Sequence, residues 1–149
     1  VVRTLSKSHA LAGLRLGYAI GAPGMIEAMN RIKDSVNSYP VDAIAQRLAL
    51  AAVTDDAYTK SVVEQIAATR ERIAAALLDM GFTVLPSRSN FIFAGRGPLP
   101  ARDIMPKLRE QGVIVRYFPG GRTDDFLRIT VGTDPQMDEF LKKLNKILY

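Results

Sequence analysis

Cysteine is absent from this chain and histidine occurs once, as His9. No disulfide and no thiolate metal site can form, and one imidazole is too few for a metal cluster, so no metal is expected. No apolar run reaches the roughly eighteen residues that a membrane-crossing helix needs. The opening residues are polar and then motif-like, unlike the basic and then apolar pattern of a secretory signal. Internal repeats and low-complexity stretches are also missing. The default expectation is a soluble cytoplasmic protein.

What is present describes a globular chain: 48% of its 149 residues are hydrophobic and 23% are charged, enough apolar side chains for a core. The net charge of +5 admits an acidic ligand or nucleic acid. Its basic residues are scattered, however, without the aromatic interleaving of a nucleic-acid stripe, and read as solvated helix faces. A basic nucleic-acid module therefore stands only as a third alternative, one that steep salt dependence of binding would mark.

The coarse pattern is that of an α/β protein. Val1–Leu5 reads as the end of a strand, followed by a loop and a short strand within Leu14–Gly21. A helix over Ala22–Val36 has Pro23 near its start and Met25, Met29 and Ile32 at helical spacing. Pro40 breaks it at Tyr39. A second helix follows, with Val41, Ile44, Ala45, Leu48 and Ala52 on one side. The longest periodic segment is capped by Thr54 or Asp55, carries Val62, Ile66, Ile73 and Leu77 as its stripe, and ends at Gly81. From there the period changes. Strands are expected in FTVLP, NFIFAG, VIVRYF and FLRITVG, with a helix over PARDIMPKLREQG that Pro106 kinks or shortens. The last helix opens on Thr133-Asp134-Pro135-Gln136, a capping-box spacing, and has Met137, Phe140, Leu141, Leu144, Ile147 and Leu148 as its stripe. Four strands and two or three helices after Gly81 make a small α+β domain.

Chemistry concentrates in TLSKSHALAGLRLGY. Lys7 sits among Thr4, Ser6, Gly13, Arg15 and Gly17. An amine can condense with an aldehyde, while two hydroxyls and a guanidinium suit a phosphate. A lysine beside serines is more often a solvated loop residue, and these residue types alone do not separate a condensing lysine from a phosphate-binding one.

This segment resembles the Schiff-base lysine segment of fold-type I pyridoxal-phosphate enzymes, the class I/II aminotransferases. The stretch GVIVRYFPGGRTDDFLRITVGT is similar to the C-terminal signature of the histidinol-phosphate aminotransferase family. The similarity runs over essentially the whole chain, but onto only the second part of such an enzyme. It implies that 1–53 is the tail of the large cofactor-binding domain, 54–80 a bridging helix and 81–149 the small domain. The upstream part would supply the aspartate for the pyridine nitrogen, the stacking aromatic and the partners of the 3′-oxygen. A chain of this length alone is then expected to be inactive.

The resemblance also implies roles. Lys7 is the catalytic lysine and, with Thr4, Ser6 and Arg15, binds pyridoxal 5′-phosphate. Arg128, within the alternating FLRITV, corresponds to the arginine that grips the substrate's anionic group. Arg116 corresponds to a second arginine typical of histidinol-phosphate aminotransferases. Asn90 and Tyr39 match positions near the site, although each also suits a plain turn or boundary residue. His9 receives no role, and Gly120-Gly121 with Arg122 reads as a flexible loop in which Arg122 is only a weak candidate for an anion contact.

The implied activity is exchange of an amino group between histidinol phosphate and 2-oxoglutarate, in histidine biosynthesis, by a cytoplasmic homodimer acting on small molecules. An aromatic amino acid aminotransferase and a threonine-phosphate decarboxylase are the alternatives within the family. A non-catalytic small-domain module is the alternative outside it.

Overall fold

The computed structural model describes residues 1–149, which divide into two compact units, Val1–Val63 and Glu64–Tyr149. The first opens with strand β1 (Val2–Thr4) antiparallel to β2 (Gly17–Ala19), in a register that sets Thr4 against Gly17. A Cβ on Gly17 would lie 2.7 Å from the Arg3 carbonyl oxygen, so only glycine permits this approach. Helix α1 (Pro23–Val36) begins with proline, which loses nothing in a turn whose N–H groups have no partner. Helix α2 (Ala43–Thr54) is capped by Asp42, whose carboxylate accepts from the Ala45 N–H at 2.9 Å.

Helix α3 (Asp56–Asp79) is continuous across the boundary between the units. Asp55 is its cap, accepting from the Tyr58 N–H at 3.2 Å, whereas the Thr54 hydroxyl bonds back to Leu50 O at 2.9 Å. Gly81, at φ +81°, ends it: Phe82 N–H reaches Leu77 O and Gly81 N–H reaches Leu78 O, the left-handed closure that glycine makes without strain.

The second unit contains β3 (Thr83–Leu85), β4 (Phe91–Gly95), α4 (Ala101–Glu110), β5 (Arg116–Tyr117), β6 (Phe126–Thr130) and α5 (Asp134–Leu148). The strands form one antiparallel sheet in the order β3-β4-β6-β5. Ile92, Ala94, Leu127 and Ile129 on one face join Ile104 and Leu108 of α4, Met137, Phe140 and Leu144 of α5, and Ile73 and Leu77 of α3 in a single core. The alternation in FLRITV thus sends Leu127 and Ile129 inward and Arg128 to the opposite face. The capping box is present: Thr133 N–H donates to Gln136 Oε1 at 2.9 Å, and the Thr133 hydroxyl meets the N3 backbone.

The structure refines three of these readings. Helix α4 runs through Pro106 from Ala101 to Glu110 without being cut short there. The proline ring and Arg102, whose carbonyl loses its partner, lie on the exposed side, where water can satisfy that carbonyl. VIVRYF is mostly irregular, and only Arg116 and Tyr117 join the sheet. The apolar rows of the first two helices stay largely uncovered: Met25, Ile32, Ile44 and Leu48 are exposed, and α2 buries only Ala45 and Ala49. Periodicity identifies a face that favours cover, not whether its own unit supplies any.

Helices α3 and α5 are tied at the surface of the second unit. Arg72 bonds Asp134 and Asp138 at 2.7 Å each, and the buried Thr69 hydroxyl donates to Asp134 at 2.9 Å. Arg72, and then Thr69, hold the Asp134 carboxyl below the ordinary carboxylate range. A depressed folded pKa stabilises above the unfolded value, about 3.9, and that contribution disappears as pH falls through the folded pKa. We therefore predict that the urea midpoint drops as pH is lowered below about 4, and that Asp134→Asn makes this acid limb shallower. An unchanged acid limb in the variant would remove Asp134 from the account.

Candidate active site

The loop joining β1 to β2 is held from within. Leu5, the one fully buried residue of this segment, donates its N–H to Leu16 O at 3.1 Å, and its carbonyl accepts from the Leu11 N–H at 3.2 Å. Closure at Leu5 and Leu16 returns Arg15 to the end of the strand pair where Ser6 leaves it. Thr4 Oγ1 donates to Ser6 Oγ at 2.8 Å and accepts from the Ser6 N–H at 3.1 Å, so the two hydroxyls stand side by side. Arg15 occupies the left-handed region at φ +53°, and its guanidinium has a single long bond, 3.4 Å to Ala12 O.

Neither Lys7 nor Arg15 has a carboxylate partner, and Thr4, Lys7 and Arg15 are exposed. Lys7 lines a cavity of about 370 Å³ together with Ser8, His9, Asp55 and Tyr58. His9 Nδ1 is engaged by the Ser8 hydroxyl at 2.8 Å. Two adjacent hydroxyls, a free amine and a free guanidinium are a donor set for a phosphate ester that also bears a carbonyl.

A second group of residues lies in the other unit. The β5-β6 register sets Arg116 directly opposite Arg128, and both point to the face away from the core. Like charges opposed on neighbouring strands are unfavourable unless something offsets them. Neither arginine has an ion-pair partner, and the buried Nε of Arg128 has no hydrogen-bond partner at all. An aromatic ring partly offsets the repulsion: the Phe118 centroid lies 5.5 Å from the Arg116 guanidinium and 5.6 Å from that of Arg128, which also lies 5.6 Å from Phe91. Arg128 borders a cavity of about 680 Å³ with Leu85, Phe91, Phe93, Phe118 and Ser87. Two unpaired cations beside an aromatic-lined hollow suit an organic anion.

The loop that follows Phe118 is cross-braced. Asp124 Oδ1 accepts from the Tyr117 hydroxyl in a short bond and from the Gly120 N–H at 3.0 Å. The Tyr117 hydroxyl, then the Gly120 N–H, hold the Asp124 carboxyl below its ordinary range, while Asp124 raises that of Tyr117. The Thr123 hydroxyl reaches Phe118 O at 3.2 Å. Sequence reasoning singled out both arginines but missed Phe118, Phe91 and Asp124. The only signal for Phe118 was its place directly after the Arg116-Tyr117 pair, and the strand register that gives it meaning is tertiary.

Asn90 sits at the start of β4, its carbonyl accepting from the Val131 N–H at 2.9 Å and its side chain from the Ser89 hydroxyl at 3.3 Å. Tyr39 is 80% exposed and Arg122 lies in the short helical turn after Gly120.

These features define a class, and comparison with known proteins agrees: the sequence profile "Aminotransferase class I and II" matches residues 1–144, and the chain belongs to that family. It is 51% identical over 148 residues to histidinol-phosphate aminotransferase 2 of Thiobacillus denitrificans, covering 99% of this chain and 42% of that protein. Identity to the histidinol-phosphate aminotransferase of Clostridium acetobutylicum is 45%, with the same shares covered. The crystal structure of histidinol-phosphate aminotransferase from Sinorhizobium meliloti in complex with pyridoxal-5′-phosphate superposes with a TM-score of 0.86 at 32% identity, over 99% of this chain and 40% of that one. The chain thus spans about two-fifths of the length of the curated relatives it matches. No helix is long and apolar enough to cross a membrane.

Proposed function

We propose that the chain is the C-terminal portion of a histidinol-phosphate aminotransferase that uses pyridoxal phosphate and exchanges an amino group between histidinol phosphate and 2-oxoglutarate. In this reading 1–53 ends the large domain, 54–80 bridges, and 81–149 is the small domain of a cytoplasmic homodimer serving histidine biosynthesis. The exposed apolar faces of α1 and α2 support burial against further protein.

The observation that carries the substrate class is the opposed, unpaired pair Arg116 and Arg128, both close to the Phe118 ring. Glutamate offers carboxylates and histidinol phosphate offers a phosphate dianion, and a guanidinium fork accepts either. The Thr4 and Ser6 hydroxyls and the Arg15 fork hold the cofactor phosphate. When bound, pyridoxal phosphate supplies the electron sink that stabilises negative charge at the substrate α-carbon. The Lys7 amine holds and moves the proton at that carbon, which requires it to be free of any carboxylate partner.

Single-turnover assays of the full-length enzyme with histidinol phosphate and with phenylalanine test the assignment. We expect rapid conversion of histidinol phosphate and slow conversion of phenylalanine. Preference for phenylalanine would move the assignment to an aromatic aminotransferase, and release of carbon dioxide from threonine phosphate to a decarboxylase.

A further inference from the structure

Between β5 and β6 the chain makes a glycine-rich loop whose last residues bond back to its first. We propose that Asp124 is a positioning residue for the Arg116–Phe118–Arg128 anion clamp, acting through the Tyr117 hydroxyl and the Gly120 N–H. The proposal rests on the anion-binding reading of the two arginines and adds what holds them in place.

Strand β5 is only two residues long, so two ladder positions alone cannot fix Phe118, the residue directly after it. Gly120 and Gly121, at φ +87° and +64°, are the most permissive points in the loop. Left to the backbone, this segment would sample many conformations, and Phe118 would move with it. Three donors counter that freedom. The Tyr117 hydroxyl and the Gly120 N–H donate to Asp124 Oδ1, and the Thr123 hydroxyl shares its one proton between Phe118 O and Gly120 O, at 3.2 and 3.3 Å. Arg102 of α4 stands 3.9 Å from Asp124 Oδ2 and extends the brace to the helix.

The brace and the clamp lie on opposite sides of the sheet. Tyr117 pairs with the buried Leu127 and packs against the core, whereas Arg116 pairs with Arg128 on the other face. Asp124 therefore contacts neither guanidinium, and its influence on them passes through the backbone of 117–120 and the Phe118 ring. That ring is the one group within stacking distance of both arginines. Its displacement would leave two opposed cations with no shared partner, and they would splay apart. A carboxylate suits the task because one oxygen accepts two donors, and a short acidic side chain at the loop's end spans back to Tyr117 without added length.

The 149-residue chain itself provides the test, with inorganic phosphate as probe and the side-chain Nε–H resonances of Arg116 and Arg128 as readout. Those resonances separate this clamp from the Thr4–Ser6–Arg15 loop. We expect phosphate to shift both signals. Asp124→Ala should weaken that binding by about tenfold, the loss equivalent to one charge-assisted hydrogen bond. Asp124→Asn, which retains an accepting oxygen, should restore it to within about threefold of the unchanged chain. Phe118→Leu, which keeps bulk but removes the π face, should match Asp124→Ala. If Asp124→Ala lowers the melting temperature but leaves phosphate affinity and both resonances unaltered, Asp124 is a structural brace only and the proposal fails. It also fails if phosphate moves neither arginine in the unchanged chain, since no clamp then exists to be positioned. A chain that binds phosphate in this way, from an enzyme that does not convert histidinol phosphate, would keep the positioning role and overturn the proposed reaction instead.

Discussion

Replacing Lys7 with alanine in the full-length enzyme is expected to abolish amino-group exchange while leaving most of the cofactor's phosphate anchorage intact. The separation follows from how the loop is built. Thr4 and Ser6 are held to each other and to the strand pair by bonds that do not involve Lys7, and Arg15 is placed by the Leu5–Leu16 closure. Removing the amine leaves that arrangement standing but removes the group proposed as the base for the substrate α-carbon. Loss of a positioned general base alone costs roughly 10²–10⁴-fold in rate, and loss of its nucleophilic role adds to that. Arg15→Ala should produce the converse. Chemistry per bound cofactor should persist, while retention of pyridoxal phosphate through dialysis falls by roughly ten- to a hundredfold, as expected for one charge-assisted bond. Rapid-quench measurement of a single turnover, with cofactor content assayed separately, distinguishes the two. Near-normal turnover by Lys7→Ala would overturn the central assignment.

Arg128→Lys is expected to impair both half-reactions, and Arg116→Ala mainly the one that starts from histidinol phosphate. Arg128 is the better held of the two: its Nε is buried and it stacks on both Phe91 and Phe118, whereas Arg116 is exposed and meets Phe118 only. A lysine at 128 keeps the charge but neither the planar fork nor the stacking surface, so the anion loses its bidentate grip. We expect kcat/KM to fall roughly ten- to a hundredfold for both substrates. Arg116, opposite Arg128 in the register, can add a second fork for a dianion, which a single carboxylate has less use for. Separate single-turnover measurements with glutamate and with histidinol phosphate decide it. Equal, mild effects of Arg116→Ala on both would remove the phosphate-reading role and favour an aromatic substrate.

Much of the second unit was legible in the linear sequence. The capping box at Thr133, the closure at Gly81 and the inward alternation of Leu127, Ile129 and Val131 are local rules whose outcome depends on a few neighbouring residues. The helices of the first unit were found, but not which of their faces would be covered. Met25, Ile32 and Ile44 satisfy a helical period and remain exposed, because burial depends on a partner surface that periodicity does not contain. Pro106 is the reverse case. A local rule allowed the helix to be shortened there, and burial of Ile104 and Leu108 on the opposite side carried it through.

The sequence by itself, through its family resemblance, determined which residues are the candidate reactive groups. The spacing of Thr4, Ser6, Lys7 and Arg15 and the two arginines near the C-terminus carried the family resemblance, since chemistry depends on residue type and short-range order. Only the tertiary structure decided that Arg116 and Arg128 oppose each other, that Phe118 packs close to both guanidiniums, and that Asp124 closes the loop that follows. Strand pairing sets those relations, and a shift of one residue in the β5-β6 register would send Arg116 to the other face of the sheet. No property of either strand read alone specifies that register. It is set by burial of Leu127 and Ile129 against the core and by the loop bonds that Asp124 and Thr123 make.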